Sequence, residues 1–144
     1  MNVSYFRVNH LINDAYGLLQ RCTHEGLEGF DLSVGQFRLL ETLVSGRACS
    51  PAQCSRAINL TPAGLTHILD KLETLGLIIR AREGCDRRFI TIKLLPAGEA
   101  IYQRAAQSVS AAWEAALQTS AGDEVRWLNR AIHLYEPASE NDFL

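Results

Sequence analysis

Between Ser33 and Thr61 the chain carries three helix starts in close succession, and just past them it changes its hydrophobic period. Ser33 with Gln36, and Ser50 with Gln53, have the spacing of capping boxes, in which a hydroxyl and an amide each satisfy an orphan backbone N–H. Pro51 follows Ser50 and Pro62 follows Thr61, each at a first helical position, where a missing N–H costs nothing. From Leu77 onward the pattern alternates. "LIIRAR" and "RFITIKL" are β-branched runs joined by "EGCD", which reads as a hairpin. Helices punctuated this closely and followed by one hairpin leave few architectures.

The remaining segments fill in the order. A first helix is predicted from about Ser4 to His24, with Val8, Leu11, Ile12, Ala15, Leu18, Leu19 and Cys22 forming one buried stripe. "HEGLEGFD" ends it with two glycines. The helix opened by Ser33 carries Phe37, Leu40, Leu43 and Val44; the one opened by Ser50 is short, ending near Ile58 and Asn59. "TPAGLTHILDKLETLG" turns Leu65, Ile68, Leu69, Leu72 and Leu75 inward and stops at Gly76. After the hairpin, a helix from about Pro96 to Gln118 buries Ile101, Ala105, Val109, Ala112, Trp113 and Ala116. Another begins near Ser120–Asp123 and buries Val125, Leu128, Ile132 and Tyr135. The predicted order is α-α-α-α-β-β-α-α, mainly α with one β-hairpin. With no internal repeat or linker, residues 1–144 are expected to form a single domain.

Composition narrows the function. The opening residues include Arg7, His10 and Asp14, which suits neither a signal peptide nor a membrane span, so the cytoplasm is the expected compartment. The four cysteines, Cys22, Cys49, Cys54 and Cys85, lack the spacing of a disulfide framework. No glycine-rich phosphate loop, HExxH or GxSxG occurs, so the chain is not expected to be an enzyme or to carry a cofactor. The net charge of -2 is unevenly spread. Ser50 to Leu94 holds seven basic and four acidic residues, a local +3 that leaves -5 elsewhere. A basic middle on an acidic chain suits a nucleic-acid face carried on a different kind of scaffold.

A short helix, the turn "NL" and a second helix with a one-sided apolar stripe describe a helix-turn-helix. Its second helix leaves Ala63, Gly64, Thr66, His67, Asp70, Lys71 and Thr74 outward. Small residues near the N-terminus let such a helix enter a major groove, where bulk would hold it off the base edges. Ser50, Gln53 and Thr61, at the helix starts, join Ala63, Gly64, Thr66, His67 and Lys71 as candidate DNA contacts. The hairpin reads as a wing that sets arginine on phosphates or in the minor groove. Glu83 and Asp86 are too few to neutralise Arg82, Arg87 and Arg88. Asp86 is placed to orient Arg88 while Arg87 stays free, so Arg82, Asp86, Arg87 and Arg88 complete the set. The plain alternative is a solvated turn whose charges keep a strand edge soluble.

These features resemble the MarR family (multiple antibiotic resistance regulators) over nearly the whole chain. The likeness rests on "LSVGQFRLLETL", "LTPAGLTHILDKLETLGLI" and "DRRFITIKLLPAGEAIY". Within them the Asp-x-Arg pair falls on Asp86 and Arg88, the Leu-Glu-x-x-Gly-Leu exit on Leu72, Glu73, Gly76 and Leu77, and the glycine after the wing on Gly98. The resemblance implies a homodimer with interdigitating first, fifth and sixth helices, so residues 1–30 and 96–144 become dimerisation helices around a DNA-binding lobe at 33–95. It also implies a palindromic operator in double-stranded DNA, most often repression, and a ligand or oxidant that respaces the two recognition helices. Two positions depart from the family pattern. Leu95 stands before Pro96 where a capping threonine is usual, and His67 stands where many members have arginine.

The resemblance further implies a pocket between the dimer helices and the DNA-binding lobe, often for a small aromatic carboxylate. Arg7, His10 and Arg38 are candidates to hold one, beside simpler surface roles or pairings with Asp14 or Glu41. Some members sense peroxide through a first-helix cysteine. Cys22 lies on that helix, although "LLQRCTHEG" differs from the expected motif, and its plainer role is packing. Cys85, among basic residues, is the other redox candidate and otherwise fills a turn. Two rival classes stand beside the regulator. One is a winged-helix protein-interaction module that ignores DNA. The other is a thiol enzyme or zinc protein, for which Cys49, Cys54 and His67 lack a fourth ligand by spacing. Cys54 is expected in the core.

Overall fold

The computed structural model describes residues 4–82, 89–119 and 126. The expected sixth helix and the hairpin tip with Glu83, Cys85, Asp86, Arg87 and Arg88 lie outside the described residues. Those described form α1 (Tyr5–Gly26), α2 (Val34–Val44), α3 (Pro51–Ala57), α4 (Pro62–Thr74), β1 (Ile78–Arg82), β2 (Ile90–Leu94) and α5 (Pro96–Thr119). The order is the predicted one as far as the description reaches.

Both capping boxes form. Ser33 Oγ accepts from Gln36 N at 3.2 Å while Ser33 N donates to Gln36 Oε1 at 2.9 Å, and Ser50 and Gln53 repeat the exchange at 3.2 and 3.1 Å. Thr61 caps α4, its Oγ1 accepting from Gly64 N at 3.2 Å. The exit of α4 is a Schellman closure. Gly76 takes φ +70, the left-handed region that suits glycine, while Leu77 N donates to Leu72 O and Gly76 N to Glu73 O, each at 3.0 Å. Between α3 and α4, Asn59 adopts φ 53, a conformation its short polar side chain tolerates.

The core lies under the helix-turn-helix. Leu39 and Leu40 from α2, Cys54 from α3, Leu65, Leu69 and Leu72 from α4, and Ile78 and Ile92 from the hairpin are all buried together. The strands pair antiparallel, Ile78 opposite Leu94 through Arg82 opposite Ile90. Strand alternation therefore puts Ile78, Arg80 and Arg82 on one face with Ile90, Ile92 and Leu94. Two backbone links fasten the wing. Ile92 N donates to Cys49 O at 2.7 Å, and Leu95 N to Leu77 O at 3.0 Å. Gly98 explains how α5 starts against this junction, since a Cβ there would lie 2.2 Å from Leu77 O.

The first helix differs from its expected stripe. Cys22 is 1% exposed, and Gly26 meets α5 so closely that a Cβ would lie 2.4 Å from Val109 Cα. Toward the N-terminus the apolar side chains stay in solvent: Val8, Ile12 and Leu19 are exposed, as are Tyr5, Phe6 and Tyr16. In the single chain, burial of the stripe is confined to the end that α5 covers.

Candidate nucleic-acid interface

The outer face of α4 is built by exclusion. Leu65, Leu69 and Leu72 point into the core, and Ile68 packs against it, so the intervening positions must face outward. Ala63, Thr66, His67, Asp70, Lys71 and Thr74 are exposed there, and Gly64 is half-buried beside the cap. Thr66 Oγ1 donates to Pro62 O at 2.9 Å, and Thr74 Oγ1 to Asp70 O at 2.8 Å. Each hydroxyl hydrogen is thereby used within the helix. What remains outward is acceptor capacity and a methyl group.

The starts of α3 and α4 put other candidates in a different position. Ser50 and Gln53 lie at the N-terminus of α3 as expected, but their side chains close the capping box, and Gln53 Oε1 also accepts from Cys49 N at 3.0 Å. Thr61 is likewise engaged with Gly64. These three organise the helix ends. Arg82 is exposed on the hairpin face shared with Ile90, and Arg56 is exposed on α3. Between α3, α4 and the hairpin runs a cleft of about 520 Å³, lined by Pro51, Ser55, Arg56, Thr66, Arg80 and Ile90 among others.

Arg80 is the residue that sequence reasoning missed. Its Nε donates to Glu73 Oε2 at 2.9 Å and its Nη2 to the same oxygen at 2.6 Å. Nη2 also reaches Asp70 Oδ1 at 2.5 Å, and the backbone N donates to Glu73 Oε1 at 3.0 Å. The hydrogen bonds from the Arg80 backbone and guanidinium hold the Glu73 carboxyl below its usual value, and the two carboxylates raise Arg80 further. The clamp ties the C-terminal half of α4 to β1. It also pairs both acids of the described helix-turn-helix with one guanidinium, a cluster of net charge -1 that the exposed Arg56, Lys71 and Arg82 outweigh on this face. The signal was present: acids three apart on one helix face, and an arginine in inward register with Ile78.

The ligand candidates lie on different helices, and of the redox candidates only Cys22 is among the described residues. Arg7 and His10 are exposed near the start of α1. Arg38, on α2, instead meets Tyr16 of α1, donating to its hydroxyl at 3.3 Å with the guanidinium 5.4 Å from the ring centre. The structure does not gather the three. Cys22 is buried, and desolvation, then Glu25, raises its thiol pKa, which disfavours the thiolate that oxidation needs.

A capped helix with a small, polar outer face, seated by a second helix and flanked by a β-hairpin carrying arginine, defines a winged helix-turn-helix of the DNA-binding class. The MarR family model matches residues 30–88, which span α2 to the hairpin. The multiple antibiotic resistance protein MarR of Escherichia coli (strain K12) is 26% identical over 103 residues, 72% of this chain and 69% of that one. An uncharacterized HTH-type transcriptional regulator of Bacillus cereus is 29% identical over 114 residues, 79% of this chain and 72% of its own. The crystal structure of wild-type E. coli MarR in its apo form superposes with a TM-score of 0.73 at 23% identity, covering 95% of this chain and all of that one. The chain shares the fold of E. coli MarR, and its residues 30–88 match the MarR family of transcriptional regulators. Its relatives are regulators, not enzymes.

Proposed function

We propose that this chain works in the cytoplasm as a homodimeric repressor that binds a palindromic operator and is released from it by a small aromatic ligand. The observation that carries the reading is the outer face of α4, where Ala63, Gly64, Thr66, His67 and Lys71 follow a capped N-terminus and both acids farther along are held by Arg80. Ala63 and Gly64 allow close approach to base edges. Thr66, its hydrogen already donated, accepts from an exocyclic amine of adenine or cytosine or sets its methyl on thymine. His67 donates to a base acceptor or a phosphate, and Lys71, Arg82, Arg87 and Arg88 take phosphates, with Asp86 orienting Arg88. Ser50, Gln53 and Thr61 act by holding helix N-termini toward the backbone.

The dimer is supported by α1. Tyr5, Phe6, Ile12 and Tyr16 are each more than half exposed, a continuous apolar face that a second copy would cover. Two-fold symmetry would then set the recognition helices about 34 Å apart, one turn of duplex. The ligand would sit between the dimer helices and the DNA-binding lobe near Arg38 and Tyr16, and it must bind the DNA-incompetent spacing better than the competent one.

Selection of DNA from a random pool by the purified protein tests this reading. The expected result is a two-fold symmetric sequence with half-sites one turn apart, and replacing His67 by Ala should relax preference at one base pair per half-site. A pool that stays random at low salt would overturn it and leave the interaction-module alternative.

A further inference from the structure

We propose that Cys49 and Cys54 form a thiol-modification site at the start of α3, closing to an intrachain disulfide when the protein meets a small-molecule disulfide. Ser50 is the N-cap of α3, so Cys49 stands immediately before the cap and Cys54 at the fourth helical position. These are the two places whose side chains pack together across a helix start, the usual seat of a hydrophobic staple. Here both places carry a thiol.

Their surroundings differ in the way such a site requires. Cys49 is exposed, and its Sγ donates to Gln53 Oε1 at 3.5 Å, on the turn that leads to Cys54. Cys54 is fully buried, wholly within the core. Burial, and then the neighbouring Cys49, pushes its thiol up to about 11. An oxidant in solution meets Cys49 first, and Cys54 is the resolving partner.

The exchange balances. The Cys49 thiolate attacks one sulfur of the external disulfide, forming a mixed disulfide and releasing one small thiolate. Cys54 then loses its proton and attacks the Cys49 sulfur, forming the Cys49–Cys54 bond and releasing the second. The protein gives up two electrons and two protons, and the external disulfide is reduced to two thiols. A high Cys54 pKa makes the second step faster as pH rises.

Closure has consequences for both DNA-binding parts. A disulfide requires its Cα atoms within about 7 Å, and the bond replaces the Cys49–Gln53 contact that supports the capping box. Cys49 O is also the acceptor that anchors β2 through Ile92 N. One bond therefore acts on the seating of α3 and on the wing. This regulatory consequence rests on the DNA-binding reading, whereas the chemistry does not.

The test treats the full-length protein with oxidised glutathione, blocks the remaining thiols with N-ethylmaleimide and then digests it with trypsin. Cleavage after Arg47 and Arg56 places both cysteines in one peptide, residues 48–56. That peptide should lose two hydrogens and regain them with dithiothreitol. Affinity for the selected DNA should fall by between about 5- and 150-fold, the usual span of coupled equilibria, and recover on reduction. Cys49→Ser should abolish both effects, and Cys54→Ala, checked for folding by circular dichroism, should retain glutathione on Cys49. A wild-type peptide that keeps the glutathione adduct, or a bond to Cys22 or Cys85 instead, would overturn the site. A closed disulfide with unchanged DNA affinity would overturn its regulatory role. Reduced protein that ignores DNA would instead count against the DNA-binding reading.

Discussion

Glu73 accepts three hydrogen bonds from Arg80, two from its guanidinium and one from its backbone. Such bonds favour the charged carboxylate, so its folded pKa is lowered from the ordinary 4.5. A depressed carboxylate contributes stability that is present above the unfolded value and lost as pH falls through the folded one. Glu73→Gln should therefore destabilise the protein at pH 7 and converge on wild type in acid, below the folded pKa. About a third of the side chain is exposed, so solvent screening limits the loss to about 0.5–1 kcal/mol. Urea denaturation at neutral and acidic pH measures it. An equal loss at both would assign the effect to packing rather than charge.

The element that depends most on close approach is the crossing of α1 and α5. At Gly26 an added Cβ would meet Val109 Cα at 2.4 Å and Val109 N at 2.8 Å, and backbone cannot rotate away as a side chain can. Gly26→Ala gains about 1 kcal/mol of helix propensity but overpacks by about 1–3 kcal/mol, so a net fall in melting temperature is expected by calorimetry. Unchanged or raised melting would show that the crossing gives freely. Elements were legible wherever the signal is local. Ser33–Gln36, Ser50–Gln53 and Gly76 each fix a helix end through bonds within a few residues. The outer face of α4 followed from its period. The Asp70–Arg80–Glu73 clamp, the Arg38–Tyr16 contact and the link from Ile92 to Cys49 did not, because each joins separate elements through tertiary register. The same limit explains Ser50 and Gln53, whose caps were read correctly while their side chains were also offered to DNA.

At the scale of the whole molecule, charge and apolar surface point to different partners. The helix-turn-helix and wing gather Arg56, Lys71 and Arg82 on a lobe where Arg80 holds Asp70 and Glu73, and α1 leaves an aromatic face uncovered. We propose that the first surface binds duplex DNA through phosphates and bases. Phosphate contacts release counterions, so affinity must fall linearly with salt on logarithmic axes. The direct measurement is fluorescence anisotropy of the selected duplex across a salt series, for wild type and for Lys71→Ala and Arg82→Ala. A steep wild-type slope, flattened by about one in each variant, is the predicted result. Affinity indifferent to salt, or slopes untouched by either substitution, would contradict it.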